Sequence, residues 1–245
     1  MHAPKHYSQA PITEAAISLR LELPDDVTLA TLTDVHLAIK AAYPMSQDIL
    51  AFQGQMLAGA SVGATASQTQ IGYNFLSSDQ KHSFQARLDG FTFSRLAPYE
   101  RWETFRDEAQ RLWNIYRSVA NPKSISRLAL RYINRLDFPL PLDDLKDYLR
   151  TVPEVSADLP QGLSGYFMQL QIPQVDLTAM LLLNQAIIPP QNPNVVSVLL
   201  DIDLFRDSDF PSEEKALWEI LEQLHIRTDQ VFEACITDRT RELIN

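Results

Sequence analysis

Cysteine is nearly absent: Cys235 is the only one in 245 residues. A lone thiol can form neither an internal disulfide nor a cysteine-based zinc site. That composition suits a reducing compartment. Glycine is scarce as well, at 7 residues. Few places remain where backbone can approach a phosphate closely enough to cradle it. No apolar stretch comes near the ~20 residues that a membrane-spanning helix needs. Met1 to Pro11 holds His2, Lys5, His6 and Tyr7 but no apolar run, so no signal peptide is expected. A soluble, cytoplasmic protein with no membrane association follows as the expectation. The 5 histidines are scattered. Only His2 and His6, in the first few residues, have a ligand-like spacing. No nucleophile elbow, calcium loop or nucleotide-binding glycine pattern occurs. No catalytic residue, metal or cofactor is nominated, and an enzyme is the less expected reading, although dispersed triads leave no trace in sequence.

The apolar fraction is 45% and the charged fraction 21%. Both suit a globular chain with a sizeable core, built as one large domain or two half-size units. The net charge is −10, which works against non-specific nucleic-acid binding. It is unevenly spread. Residues 81–135 hold 11 Lys and Arg against 5 Asp and Glu, whereas residues 136–245 hold 7 against 19. The basic middle keeps a local anion-binding surface open.

Proline, at 15 residues, supplies much of the punctuation. Ile17, Leu19, Leu21 and Leu23 alternate with polar residues over 14–23 and predict a half-buried strand. Leu32, Val35, Ile39 and Ala42 predict a helix over 29–42, stopped near Pro44. Residues 45–67 show little periodicity and read as a loop or a poorly patterned strand. Strands follow at 69–76, 82–88 and 91–97, with Asp89-Gly90 as a hairpin signal. Trp102, Phe105, Ala109, Leu112, Tyr116 and Val119 form an apolar seam on a helix over about 99–120, ended by Asn121-Pro122. A long strand over 124–138 and a short helix over 142–150 come next. Strands at 165–172, 177–188 and 194–205 are separated by Pro173 and by the cluster from Pro189 to Pro193. One final helix is expected from the N-cap Ser212, with Glu213 and Glu214 in its first turn, to about Leu243.

Each half thus reads strand, helix, several strands, long helix. The expected fold is α+β, a mostly antiparallel sheet with two long helices on one face. The repeated order suggests a pseudo-twofold duplication resembling the saddle of the TATA-binding-protein fold. The halves are 1–120 and 123–245, sharing one sheet and core and joined near Pro122.

Three segments carry a family resemblance. They are Pro11-Ile12-Thr13-Glu14-Ala15, Leu130-Arg131-Tyr132-Ile133-Asn134, and Phe232-Glu233-Ala234-Cys235-Ile236-Thr237. With the chain length, they resemble a sporadically distributed bacterial family of uncharacterised proteins. The resemblance implies a bacterial cytoplasmic protein and transfers no activity or catalytic residue.

Arg127, Arg131 and Arg135 fall at every fourth residue on one face of the 124–138 strand, with Arg20 and Arg87 as candidate neighbours. Such a row reads either as an anion-binding stripe or as one side of a cross-strand charge lattice. Asp201 and Asp203 share a strand face and, with Asp207 and Asp209, suggest either a hard-cation site or acids that pair with the arginines. Cys235 reads as a buried, inert thiol. Trp102, Phe105 and Tyr116 have the spacing of ordinary core. The functional expectation is a non-enzymatic interaction or regulatory protein with a protein partner. A module for small anions, nucleotides or nucleic acid, an unrecognised hydrolase or transferase, and a homo-oligomer remain open alternatives.

Overall fold

The computed structural model describes residues 7–57, 63–207, 210 and 214–245, with side chains left aside at 53–57, 63–66 and 214. It is an α+β fold. The strands are β1 (Ile12–Glu22), β2 (Met45–Leu57), β3 (Gly63–Leu76), β4 (His82–Arg87), β5 (Gly90–Leu96), β6 (Ser124–Pro139), β7 (Phe167–Gln174), β8 (Ala179–Ile188) and β9 (Val195–Arg206). The helices are α1 (Leu29–Ile39), α2 (Trp102–Ala120), α3 (Glu214–Cys235) and α4 (Asp238–Ile244). Among the described residues the antiparallel sheet has nine strands, in the order β2-β3-β4-β5-β1-β6-β9-β8-β7. By spatial proximity the chain divides into two compact units. One comprises Met1–Ile17, Leu96–Tyr99 and Leu128–Asn245; the other comprises Ser18–Arg95 and Glu100–Arg127.

In the Ser18–Arg127 unit, Thr28 caps α1. Its hydroxyl accepts from the Thr31 N–H while the Thr31 hydroxyl accepts from the Thr28 N–H. Leu32, Val35 and Ile39 are buried as their spacing requires. The helix ends at Ile39, three residues short of the expected limit. The N–H groups of Ala42 and Tyr43 both turn back to the Ile39 carbonyl, each at 2.9 Å. The seam of α2 is buried at Trp102, Phe105, Ala109, Leu112 and Tyr116, together with Trp113. It meets the aromatic face of β5, with Phe93 and Phe105 stacked at 5.2 Å and Phe91 edge-on to Trp113 at 5.6 Å. Asn121 closes the helix in the left-handed region, at φ 42°, donating its N–H to the Arg117 carbonyl.

Residues 45–67, expected as a loop or a poorly patterned strand, are strand wherever they are described, and 58–62 lie outside the described residues. β2 pairs with β3 along its whole length, with a bulge between Ile49 and Leu50. None of residues 45–52 is buried. Over these residues no face is committed to a core, so the alternation that marks a strand was not required; backbone ladder bonds hold them instead. The β4–β5 hairpin forms where Asp89-Gly90 points. Gly90 does not take a positive φ. A Cβ there would come within 2.6 Å of the Leu19 carbonyl oxygen, so close approach is what demands glycine.

In the other unit, Leu128, Leu130, Tyr132, Asn134, Leu136 and Phe138 line the buried face of β6, opposite Leu200, Ile202 and Leu204 of β9. The short helix expected over 142–150 is only a 3₁₀ turn, Leu145–Asp147. The single C-terminal helix expected to Leu243 is broken after Cys235. These two departures have one cause. The Arg150 N–H donates to the Cys235 carbonyl at 2.8 Å, Leu149 and Ile236 form a β-bridge, and the Thr237 N–H donates to the Tyr148 carbonyl at 3.0 Å. Each segment supplies the hydrogen bonds the other would have made within a helix. Tyr148 also stacks on Phe138 at 4.6 Å. Ser212 and Glu213 lie outside the described residues. Pro173, expected to separate strands, sits inside β7.

Candidate functional site

β6, β9 and β8 are adjacent, and their register puts Arg131 opposite Asp203 and Asp201 opposite Asn184. Both acids occupy the face of β9 opposite its buried leucines. The guanidinium of Arg131 passes over Asp203 and reaches diagonally to Asp201. Its Nε and Nη2 donate to the two carboxylate oxygens, each at 2.7 Å. This is the fork geometry that makes arginine–carboxylate pairs strong. Asn184 Nδ2 donates a third bond to Asp201 at 2.9 Å. The Asp201 side chain is 3% exposed and that of Arg131 47% exposed. The bond to Asp201 and the charges of Asp201, Asp203 and Glu14 raise the pKa of Arg131, against the effect of its own burial. Three carboxylates around one guanidinium leave this patch without the positive excess that an anion stripe requires.

Four residues along a strand put the Cα atoms of Arg131 and Arg135 ~13 Å apart, too far for both to grip one small anion. Arg135 has its own partners. It donates to Asp137 at 3.1 Å, to Ser197 Oγ at 2.8 Å and to the Pro189 carbonyl at 3.2 Å. Ser197 in turn donates a short hydrogen bond to Asp137. The other candidates belong to the Ser18–Arg127 unit. Arg87 pairs with Asp89 at 3.0 Å, Arg20 is exposed, and Arg127 is half-buried. Asp207 is exposed, and Asp209 lies outside the described residues, as do His2 and His6. Among the described residues no group of three or more His, Cys, Asp or Glu side chains is placed to hold a metal ion.

One array escaped the sequence reading. Tyr99 and Tyr132 share a hydroxyl–hydroxyl bond of 3.0 Å, and the Tyr132 hydroxyl lies 3.4 Å from His225 Nδ1. His225 Nε2 is 3.7 Å from Asp229 one turn further along α3. Burial, then the neighbouring Tyr99, holds the Tyr132 hydroxyl well above its ordinary pKa. Burial, with Glu233 and Glu222 nearby, pushes the Asp229 carboxyl up to about 6. The i, i+4 spacing of His225 and Asp229 was visible in the sequence. Their meeting with two tyrosines from separate segments was not. Tyr132 is 4% exposed, so the array runs from the interior outward along α3.

Exposed apolar side chains mark the two edge strands. Phe52 on β2 is 74% exposed and Phe167 on β7 is 70% exposed. Leu50 and Ile172 are exposed on the same two strands. No helix among the described residues is long and apolar enough to cross a membrane. No family model and no curated protein matches this chain.

Proposed function

We propose that this chain is a non-enzymatic interaction protein, with a regulatory role exerted through binding, that engages a protein partner at the edges of its sheet. The observation that carries this reading is the exposure of Phe52 and Phe167 on the two edge strands. Sheet edges invite strand addition unless blunted. Two arginines nominated for anion chemistry in the β6–β9 region are instead engaged with carboxylates of the chain, Arg131 with Asp201 and Arg135 with Asp137. The mirrored strand order, β5-β4-β3-β2 running outward from β1 and β9-β8-β7 outward from β6, supports a duplicated topology of the TATA-binding-protein kind. The resemblance to a sporadic bacterial family supports a cytoplasmic setting.

A photo-crosslinking residue in place of Phe52 tests the function. It should trap a protein whose purified form binds the parent chain and loses that binding in Phe52→Asp, with the melting temperature unchanged. A thermal-shift panel of phosphate, nucleotides, nucleic acid and divalent cations should give no stabilisation. A shift with phosphate or nucleotide that vanishes in Arg131→Ala would replace this reading with the anion-binding one. Turnover of any nucleotide or ester that is lost in His225→Ala would replace it with an enzyme.

A further inference from the structure

We infer that the outer edge of β7 pairs antiparallel with the β7 edge of a second copy of this chain, joining two sheets across a two-fold axis. This rests on the reading of the sheet edges as interaction surfaces, and names the occupant of one of them.

The backbone of β7 shows which groups are free to pair. The Ile187 N–H donates to the Tyr166 carbonyl, so Tyr166 and Ile187 form a hydrogen-bonded pair of the antiparallel ladder. Such pairs recur at every second residue. With the β7–β8 register, Met168, Leu170, Ile172 and Gln174 turn their N–H and C=O groups toward β8. Phe167, Gln169, Gln171 and Pro173 turn theirs away. Pro173 confirms this assignment chemically: proline has no N–H to give, and it occupies an outward position where β8 asks for none. β7 ends the strand order, and no backbone hydrogen bond among the described residues takes up the outward groups of Phe167, Gln169 or Gln171. No residue of β7 is buried.

Three features favour a second copy as the occupant. The segment FMQLQIPQ contains no charged residue, so an identical edge laid against it meets no like charge. Lysines or acids are the usual device against such pairing, and they are missing. The edge is also self-complementary. With Gln169 opposite its own copy, Phe167 faces Gln171 of the other chain in both directions, and every outward N–H of Phe167, Gln169 and Gln171 meets a carbonyl. Pro173 then lies just beyond the paired stretch and limits it. Finally, Phe167 and Gln171 are on the same face of β7 and become direct cross-strand neighbours, covering the exposed ring.

The test is the mass of the full chain in solution, by sedimentation and light scattering over roughly a hundredfold range of concentration. A dimer is expected, and added salt should strengthen it, because each copy carries a net charge of −10 while the paired edge carries none. Gln169→Pro and Gln171→Pro each remove one outward N–H and no backbone bond to β8; the first also removes the side-chain bond from Gln169 to Asn184, which Gln171→Pro leaves in place. Gln169→Lys places like charges opposite each other. All three should give monomers with the parent's circular dichroism. Gln169→Cys should form a disulfide-linked dimer on mild oxidation, since directly opposite Cα atoms in such a pair are ~5.5 Å apart. A parent chain that is monomeric throughout overturns the inference, as does a dimer that all three substitutions leave intact, or a mass that climbs beyond two copies. None of these results bears on capture of a partner at Phe52, so the two readings fail separately.

Discussion

Arg131 is half in water, yet its partner Asp201 is almost wholly out of it, and this asymmetry decides what removal of either would do. Arg131→Ala leaves a buried carboxylate with Asn184 as its remaining side-chain donor. The expected loss is ~2–3 kcal/mol, less than for a fully buried pair because the arginine side is open to solvent. The paired replacement Arg131→Met with Asp201→Leu should cost clearly less than Arg131→Ala alone. Urea denaturation of the parent and the two variants checks both expectations. A loss under ~0.5 kcal/mol for the single change would show that the pair is dispensable. Asp229 behaves in the opposite sense. Its folded carboxyl is raised from 3.8 to about 6, so the native state holds this proton more tightly than the unfolded chain does. The stabilisation is complete below pH ~4 and is lost as pH rises through ~6. At pH 7 the carboxylate opposes folding beside Glu222 and Glu233. Asp229→Asn should therefore stabilise the protein at pH 7. The gain is about 1 kcal/mol once solvent screening is allowed for at a side chain 43% exposed. The same change should flatten the stability profile between pH 4 and 6. Melting curves across that range decide it.

Among the elements, α2 follows its sequence closely, although it starts at Trp102 and not at 99 and Val119 of the expected seam is not buried. Its seam spacing, its charged outer face and its Asn-Pro stop all point to the helix observed. Phe105 is 1% exposed and stacked on Phe93, so Phe105→Ala should cost ~3–5 kcal/mol in chemical denaturation. At the helix end, Asn121 holds a left-handed conformation that β-branched residues resist. Asn121→Val should cost ~1–2 kcal/mol, whereas Asn121→Gly should be neutral or stabilising. Equal melting temperatures for the two would show that the cap carries no strain. The C-terminal helix was read less well. Of Leu217, Leu221, Leu224, Val231, Cys235 and Ile236, the side expected to be buried, all but Val231 are buried. Nothing in that spacing marks the break after Cys235, because a segment about 90 residues earlier supplies the competing hydrogen bonds. The 142–150 helix failed for the reciprocal reason.

At the scale of the whole molecule, Cys235 reports on how the C-terminal helices dock. It is 4% exposed, and burial pushes its thiol up to about 11. A raised pKa and lost access both suppress the reactive thiolate. Alkylation at pH 8 should run at least a hundredfold slower in the native protein than in denatured chain, an order of magnitude that follows from the thiolate fraction alone. The rate should rise with urea in step with opening of the Arg150–Cys235 contact. Rapid modification without denaturant would mean that the turn between α3 and α4 is open in solution. The same experiment in Leu149→Gly should show faster labelling, with the remainder of the chain still folded.

The sequence alone determined the elements that commit one face to a core. β1, α2, β6 and β9 bury apolar side chains at intervals of two or of three and four, so burial wrote the period into the residues. It also put Asp201 and Asp203 on one strand face, because side chains alternate along every strand. Only the tertiary structure decided the rest. Residues 45–52 of β2 needed no apolar period, since backbone bonds hold them in place. The choice of Asp201 over the directly opposite Asp203 depended on how a long guanidinium crosses a twisted ladder. The Tyr99–Tyr132–His225–Asp229 array needed three separate segments to meet. The outward turn of Gln169 and Gln171 at the β7 edge depended on the ladder phase with β8, which no single strand encodes.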